Sequence, residues 1–175
     1  MNKSEFYSFL KTVPKAELHI HIEAVISRDS IKKLYLKKNG KKFSEKALKE
    51  LFNYSDLNGF IAAFIEVQNL FTEVSDFDLV FDDLKNYLVR NGITHCEAFF
   101  APSSFIKKGF SYEEMAKNFE KNLKKIKKET GITVWLLGDV SRTFGLDNAS
   151  KNLDMFLANK FDGFIGIGLG GAESK

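Results

Sequence analysis

Two histidines and a carboxylate are grouped within the segment Pro14–Glu23, close to the N-terminus. His19 and His21 are separated by one residue, and Glu23 follows at the same spacing. Because side chains alternate along a β-strand, these three residues are predicted to share one face, with Leu18, Ile20 and Ile22 on the other. Two imidazoles at this spacing can bind one divalent metal ion, most often zinc, although a catalytic zinc usually has three or more protein ligands. The same pair can also arise by chance in a chain with three histidines. The apolar, strand-like context of His19 and His21 favours half of a metal site over chance spacing.

The elements that must position these residues alternate along the chain. Strands are predicted at about 16–23, 94–101, 133–139 and 163–169. Amphipathic helices are predicted at about 4–12, 27–39, 75–90, 111–129 and 147–159. Strands that alternate with helices indicate an α/β fold with a parallel sheet and right-handed crossovers. Two further helical segments, at about 44–52 and 56–71, interrupt this rhythm after the first βα unit.

Four segments in order resemble the adenosine deaminase family of the amidohydrolase superfamily. The run Val13–Ala24 is similar to the family's opening Leu-Pro-Lys-x-Glu-Leu-His-x-His-hydrophobe-(Asp/Glu)-Gly. The later matches are Glu97–Pro102 for the second strand, Asp139–Gly145 for the third and Gly166–Glu173 for the fourth. The sequence differs from the family pattern at two positions. Ala24 stands where the family usually has Gly, and Phe99 stands where many members have Arg.

The resemblance implies the N-terminal half of a (β/α)₈ TIM barrel, with four parallel strands in one partial metal-dependent hydrolase domain over residues 1–175. A complete barrel typically needs about 250 residues, and here the sequence ends soon after the fourth predicted strand. By the same resemblance, the helical segments at 44–71 correspond to the lid over the substrate mouth. An ordinary core position for these helices remains open.

The implied reaction is the zinc-dependent hydrolytic deamination of a purine nucleoside or base, in which water activated at the metal releases ammonia. His19 and His21 would be zinc ligands, Glu23 would contact the ribose in nucleoside-specific members, and Gly171 would contact the purine through its backbone. The family's remaining metal ligands, its proton donor and its assisting histidine lie beyond the fourth strand. No catalytic residue is therefore assigned within these 175 residues, and the chain alone is expected to be inactive. A non-catalytic truncated chain or assembly module with the half-barrel fold is the alternative.

The choice among adenosine, adenine and aminodeoxyfutalosine stays open at this point. Phe99 in place of Arg leaves no basic group there for a phosphate, which favours a base or nucleoside over a nucleotide. Gly166-x-Gly168-x-x-Gly171 also fits a dinucleotide fingerprint, but that motif needs a following helix and a later acid. Close backbone approach at a strand end is the favoured explanation of these glycines. His95 begins a strand, away from the rim where barrel chemistry occurs, and is predicted to be structural.

Composition limits the partners. The net charge of +3 and the dispersed lysines do not suggest nucleic acid, and no apolar run approaches the roughly 20 residues of a membrane span. Cys96 is the single cysteine, which agrees with a reducing compartment, so a cytoplasmic protein is expected. A half barrel has two unpaired sheet edges, and such edges favour association. A second copy or a C-terminal half-barrel chain is therefore an expected partner, besides the purine.

Overall fold

One four-stranded parallel sheet organises the chain in the computed structural model, which describes residues 2–171. Its strands are β1 (Lys15–His21), β2 (Ile93–Phe100), β3 (Thr133–Ser141) and β4 (Phe164–Gly170). They are hydrogen-bonded in the order β1-β2-β3-β4, with every neighbouring pair parallel. The predicted α/β half barrel is confirmed. Ala172 and Glu173, which belong to the segment resembling the family's fourth strand, lie outside the described residues.

Eight α-helices accompany this sheet within residues 2–171. They are α1 (Lys3–Thr12), α2 (Arg28–Asn39), α3 (Glu45–Leu51), α4 (Leu57–Gln68), α5 (Phe77–Asn91), α6 (Ser103–Ile106), α7 (Tyr112–Thr130) and α8 (Gly145–Ala158). The two helices between the first βα unit and the second strand are present as α3 and α4. The short α6 was not predicted. None of the helices over this range is long and apolar enough to cross a membrane.

The helix ends follow local capping chemistry. Ser27 accepts a hydrogen bond from the Ser30 amide at the start of α2, as predicted. Gly40 and Gly92 end α2 and α5 in the left-handed conformation that glycine adopts without steric cost. At α1 the cap is Asn2, which forms a reciprocal capping box with Glu5. The helix therefore begins one residue earlier than the predicted range of about 4–12.

The hydrophobic core lies between the sheet and the helices on its outer face. A group of buried phenylalanines packs mostly edge to face, with ring centroids of Phe77 and Phe119 5.0 Å apart and those of Phe100 and Phe119 4.6 Å apart. Its members are Phe71, Phe77, Phe81, Phe100, Phe105 and Phe119. Aromatic pairs of this kind add about 0.5–1.5 kcal/mol each beyond area burial. Because Phe100 ends β2, this cluster fixes the C-terminal rim of the sheet.

Strand β1 is irregular next to its histidines. Its pairing moves from Glu17 opposite Cys96 to Ile20 opposite Ala98, so β1 uses three residues where β2 uses two. An extra residue of this kind reverses the alternation of faces. Leu18 was predicted to share the buried face with Ile20, but it is 57% exposed, whereas Ile20 packs against the core. The prediction of strict alternation across this segment was wrong.

Candidate metal centre and substrate pocket

The two histidines of β1 lie together at the C-terminal end of the strand. Their ring centroids are 5.7 Å apart. Phe99 of the neighbouring β2 contacts both, with centroid distances of 4.6 Å to His19 and 5.7 Å to His21. All three rings therefore share the inner face of the sheet, opposite the helices. The predicted pairing of the two imidazoles on one face is present despite the irregularity in β1.

A carboxylate from β3 joins this group. Asp139 is buried, and its charge interacts with both His19 and His21. The glycines of β4 leave space for it, because a Cβ at Gly168 would lie 2.5 Å from the Phe99 ring and 2.9 Å from Asp139 Oδ1. A Cβ at Gly170 would lie 2.7 Å from Asp139 Oδ2. Gly168 and Gly170 on β4 thus permit the side chains of Phe99 and Asp139 to approach the β4 backbone closely, as the sequence suggested.

Burial is the largest cause of the pKa shifts of His21 and Asp139. It lowers the pKa of His21, while the charge of Asp139 opposes that effect. Burial raises the pKa of Asp139, and the two histidines and Arg142 act in the opposite direction. A lowered pKa keeps His21 neutral over a wider pH range. The neutral imidazole is the form that binds a metal ion.

Glu23 follows β1 in a single 3₁₀ turn over Ile22–Ala24, so the strand ends two residues earlier than predicted. Its side chain is almost fully buried, at 1% exposure. Oε1 accepts hydrogen bonds from Gln68 Nε2 at 3.3 Å and from the Ala101 amide at 3.2 Å. Oε2 is buried and has no hydrogen-bond partner among the described residues. Burial raises the pKa of this carboxyl to about 7.

A small cavity of about 90 Å³ adjoins Glu23. Helix α4 forms much of its wall, and the remaining lining comes from the segments around Ala24 and Phe52. The lining side chains are those of Glu23, Ala24, Ile26, Phe52, Tyr54, Phe60, Ala63, Phe64 and Val67. The position of α4 next to the predicted substrate carboxyl agrees with a lid-like role. Apart from Glu23 and Tyr54, the lining residues have apolar side chains.

Gly171 lies directly after β4, at the same rim but at the opposite edge of the sheet from β1. Its φ of +94° is in the region that favours glycine. Any Cβ there would lie 2.9 Å from Ser141 Oγ and 3.2 Å from Thr143 Oγ1. The Arg142 guanidinium donates to the carbonyls of Leu169 and Gly171. The backbone at this predicted contact is therefore held by the turn that follows β3.

The donor chemistry around His19 and His21 fits a zinc ion in part. Imidazole nitrogen is a preferred zinc donor, and the two rings share one face. Within residues 2–171, however, no group of three or more His, Cys, Asp or Glu side chains is arranged to hold a metal ion. The described residues thus bring together two imidazole donors, fewer than the three or more protein ligands that a catalytic zinc usually has.

Sequence reasoning gave no role to two buried polar residues of this region. Asp139 belongs to the segment that resembles the family's third strand, and its carboxylate within the apolar run of β3 was the available signal. Gln68 lies at the end of an apolar helix, and nothing local in the sequence marks its bond to Glu23. His95 instead contacts Trp135 and Glu97 near the start of β2, away from the rim.

Comparison with known proteins adds independent information. Residues 14–175 match the family model described as Adenosine deaminase. An adenine deaminase from Vibrio parahaemolyticus is 28% identical over 170 residues, which are 95% of this chain and 50% of that protein. The crystal structure of an adenine deaminase from Arthrobacter aurescens superposes with a TM-score of 0.82 at 26% identity, covering 91% of this chain and 49% of that one.

A third similar protein is an amidohydrolase from Burkholderia ambifaria, whose crystal structure has bound Zn. It matches with a TM-score of 0.89 at 20% identity, over 100% of this chain and 49% of its own. At that identity the likeness concerns the fold alone. The chain spans about half the length of the curated relatives that it matches.

Proposed function

The chain belongs to the adenosine deaminase family, and we propose that it contributes to the zinc-dependent hydrolytic deamination of a purine base or nucleoside. One observation carries this proposal: His19 and His21 occupy the same inner face at the C-terminal end of β1. Catalytic groups of (β/α)₈ enzymes lie at this end of the strands. We further propose that residues 1–175 form one partial metal-dependent hydrolase domain.

His19 and His21 would hold the zinc ion, with further ligands from outside the described residues. A bound zinc supplies a Lewis acid that makes water a better nucleophile at neutral pH. The chain's own contribution is to favour the neutral form of His21 by burial, which lowers its pKa, although the charge of Asp139 partly opposes this effect. Phe99 packs against both imidazoles and would help to fix their orientation.

Glu23 and Gly171 would bind the substrate. The buried Oε2 of Glu23 has acceptor capacity that no described residue uses, so it suits a hydroxyl or N–H of the ligand. The Gly171 backbone, held by Arg142, would contact the purine. Phe99 places an apolar ring where a cation for a phosphate would be needed, which supports a base or nucleoside as substrate. The adenine deaminases among the relatives favour adenine as the first compound to test.

The partner that completes the site would cover the two free edges of the sheet. On the β4 edge, Ile165, Ile167 and Leu169 are each about half exposed, and α8 adds Leu153 and Leu157. Exposed aliphatic strips of this kind mark interaction surfaces. We propose that four further βα units, in a second polypeptide or a second copy, pack there.

The decisive experiment measures ammonia release from adenine, adenosine and AMP with zinc present. The chain is assayed alone and after mixing with the second half of a relative such as the Vibrio parahaemolyticus enzyme. We expect no turnover by the chain alone and turnover of adenine or adenosine by the mixture, abolished by His21→Ala and retained by His95→Ala. A preference for AMP, or activity indifferent to His21→Ala, would contradict the proposal.

A further inference from the structure

The buried contact between Glu23 and Gln68 joins two parts of the molecule that are 45 residues apart in sequence. Gln68 is the last residue of α4 and is 1% exposed. Its Nε2 donates to Glu23 Oε1, the same oxygen that receives the Ala101 amide. Two donors from different elements therefore fix one oxygen of this carboxyl and leave Oε2 unpartnered.

We propose that Gln68 is a positioning residue, which orients the Glu23 carboxyl for ligand binding and couples that carboxyl to helix α4. This inference rests on the proposed role of Glu23 as a substrate contact. Among residues 2–171, Gln68 donates the one side-chain hydrogen bond to Oε1. Without it that oxygen is held by the Ala101 amide alone of these two donors, and the carboxyl is freer to rotate about its terminal bond. The unpartnered oxygen then no longer has a defined direction.

The coupling follows from where α4 lies. Phe60, Phe64 and Val67 of this helix line the cavity beside Glu23, and Gln68 follows Val67 directly. The end of α4 is itself held, because Lys108 Nζ donates to the Gln68 carbonyl at 2.9 Å. Any shift of α4 would therefore change the cavity wall and the carboxyl orientation together. Ligand contacts with the aromatic wall are linked in this way to the polar contact at Glu23.

The test uses the ¹⁵N-labelled 175-residue chain and the amide resonance of Ala101. Gln68→Met keeps the side-chain length and removes the donor. Leu70→Val trims a nearby buried side chain that neither lines the cavity nor bonds Glu23, so it serves as the matched control. We expect Gln68→Met to shift the Ala101 amide proton upfield and to accelerate its hydrogen exchange. Leu70→Val should leave both unchanged after correction for global stability.

Adenine is then titrated into each protein. We expect Gln68→Met to weaken adenine binding about tenfold relative to Leu70→Val, the effect of losing roughly one hydrogen bond. If Gln68→Met does not fold, Gln68→Asn retains an amide that is too short to reach Glu23, and the same shifts are measured on it.

The outcomes separate the two proposals. An Ala101 amide that is unchanged in the Gln68 variant, or changed equally in Leu70→Val, overturns the positioning role. Where the unaltered chain binds adenine, equal adenine affinities of the Gln68 and Leu70 variants also overturn it. Should the unaltered chain bind no adenine while its Ala101 amide depends on Gln68, the substrate contact at Glu23 fails but the positioning of its carboxyl stands.

Discussion

Replacing Glu23 with Gln removes the one carboxyl that is buried with an unpartnered oxygen within residues 2–171. Burial is the largest cause of the raised pKa of Glu23, and hydrogen bonds from its own backbone, Ala101 and Gln68 partly offset it. The nearby charge of Asp139 raises the pKa further. Gln at this position retains an oxygen that can accept from Ala101 and Gln68, and it carries no charge at any pH. The variant therefore isolates the free-energy cost of ionising this site.

The direction in which the free energy of unfolding changes with pH follows from proton linkage. The pKa of Glu23 is about 7 in the folded protein, against 4.5 for an unperturbed side chain. Between these values the folded state keeps the proton that the unfolded state has lost. The free energy of unfolding therefore decreases as pH rises across this window, at up to about 1.4 kcal/mol per pH unit. The total loss is about 3 kcal/mol, complete above the folded-state pKa.

Urea denaturation followed by circular dichroism measures this effect as a difference between variants. Near pH 5 the unaltered protein and Glu23→Gln should have similar free energies of unfolding, whereas near pH 8 the variant should be more stable by about 3 kcal/mol. Glu66→Gln, an exposed change on the same helix as Gln68, is the control and should show no such divergence. A difference that stays constant from acid to alkaline pH would refute the inference that Glu23 is desolvated.

Four other predictions concern the inner face, the thiol and the free edge. Calorimetry with zinc should show weak binding that His21→Ala abolishes and His95→Ala preserves; stoichiometric nanomolar binding to a monomer would reveal a missed ligand. Gly168→Ala should destabilise the fold by about 1–3 kcal/mol in urea titrations, because its Cβ meets Phe99, whereas Gly166→Ala makes only an ordinary contact and should cost less. Native Cys96 should resist thiol reagents, since it is fully buried and burial raises its pKa to about 12. In ultracentrifugation the chain should self-associate through the unpaired edges of its sheet. Ile167→Lys should reduce this association and Leu36→Lys should not. A monodisperse monomer at micromolar concentration would contradict the view that these edges are free to pair.

Local patterns in the sequence were sufficient for most of the fold. Helix ends at Ser27 and Gly40 depend on side-chain caps and on glycine conformation, which act over a few residues and can be recognised directly. The extra residue in β1 could not be predicted in this way, because it is defined by pairing with β2 more than 70 residues later. The hydrogen bond between Gln68 and Glu23 likewise joins residues that are far apart in sequence. Both features depend on tertiary contacts that leave no periodic signal.

The fold and the proposed chemistry are supported by opposite faces of the same strand. On β2, Cys96, Ala98 and Phe100 point to the helices and are buried, and Phe100 joins the phenylalanine cluster with Phe119. The residue between the last two, Phe99, points inward to the histidine pair. Because period-two alternation separates these roles, stability arises mainly from the outer face. The inner face can then hold polar groups such as His21 and Asp139, which would cost free energy if they were buried in an apolar core without hydrogen-bond partners. The same separation lets the outer core hold the rim in place, while the inner face stays available for the metal ion and substrate that we propose.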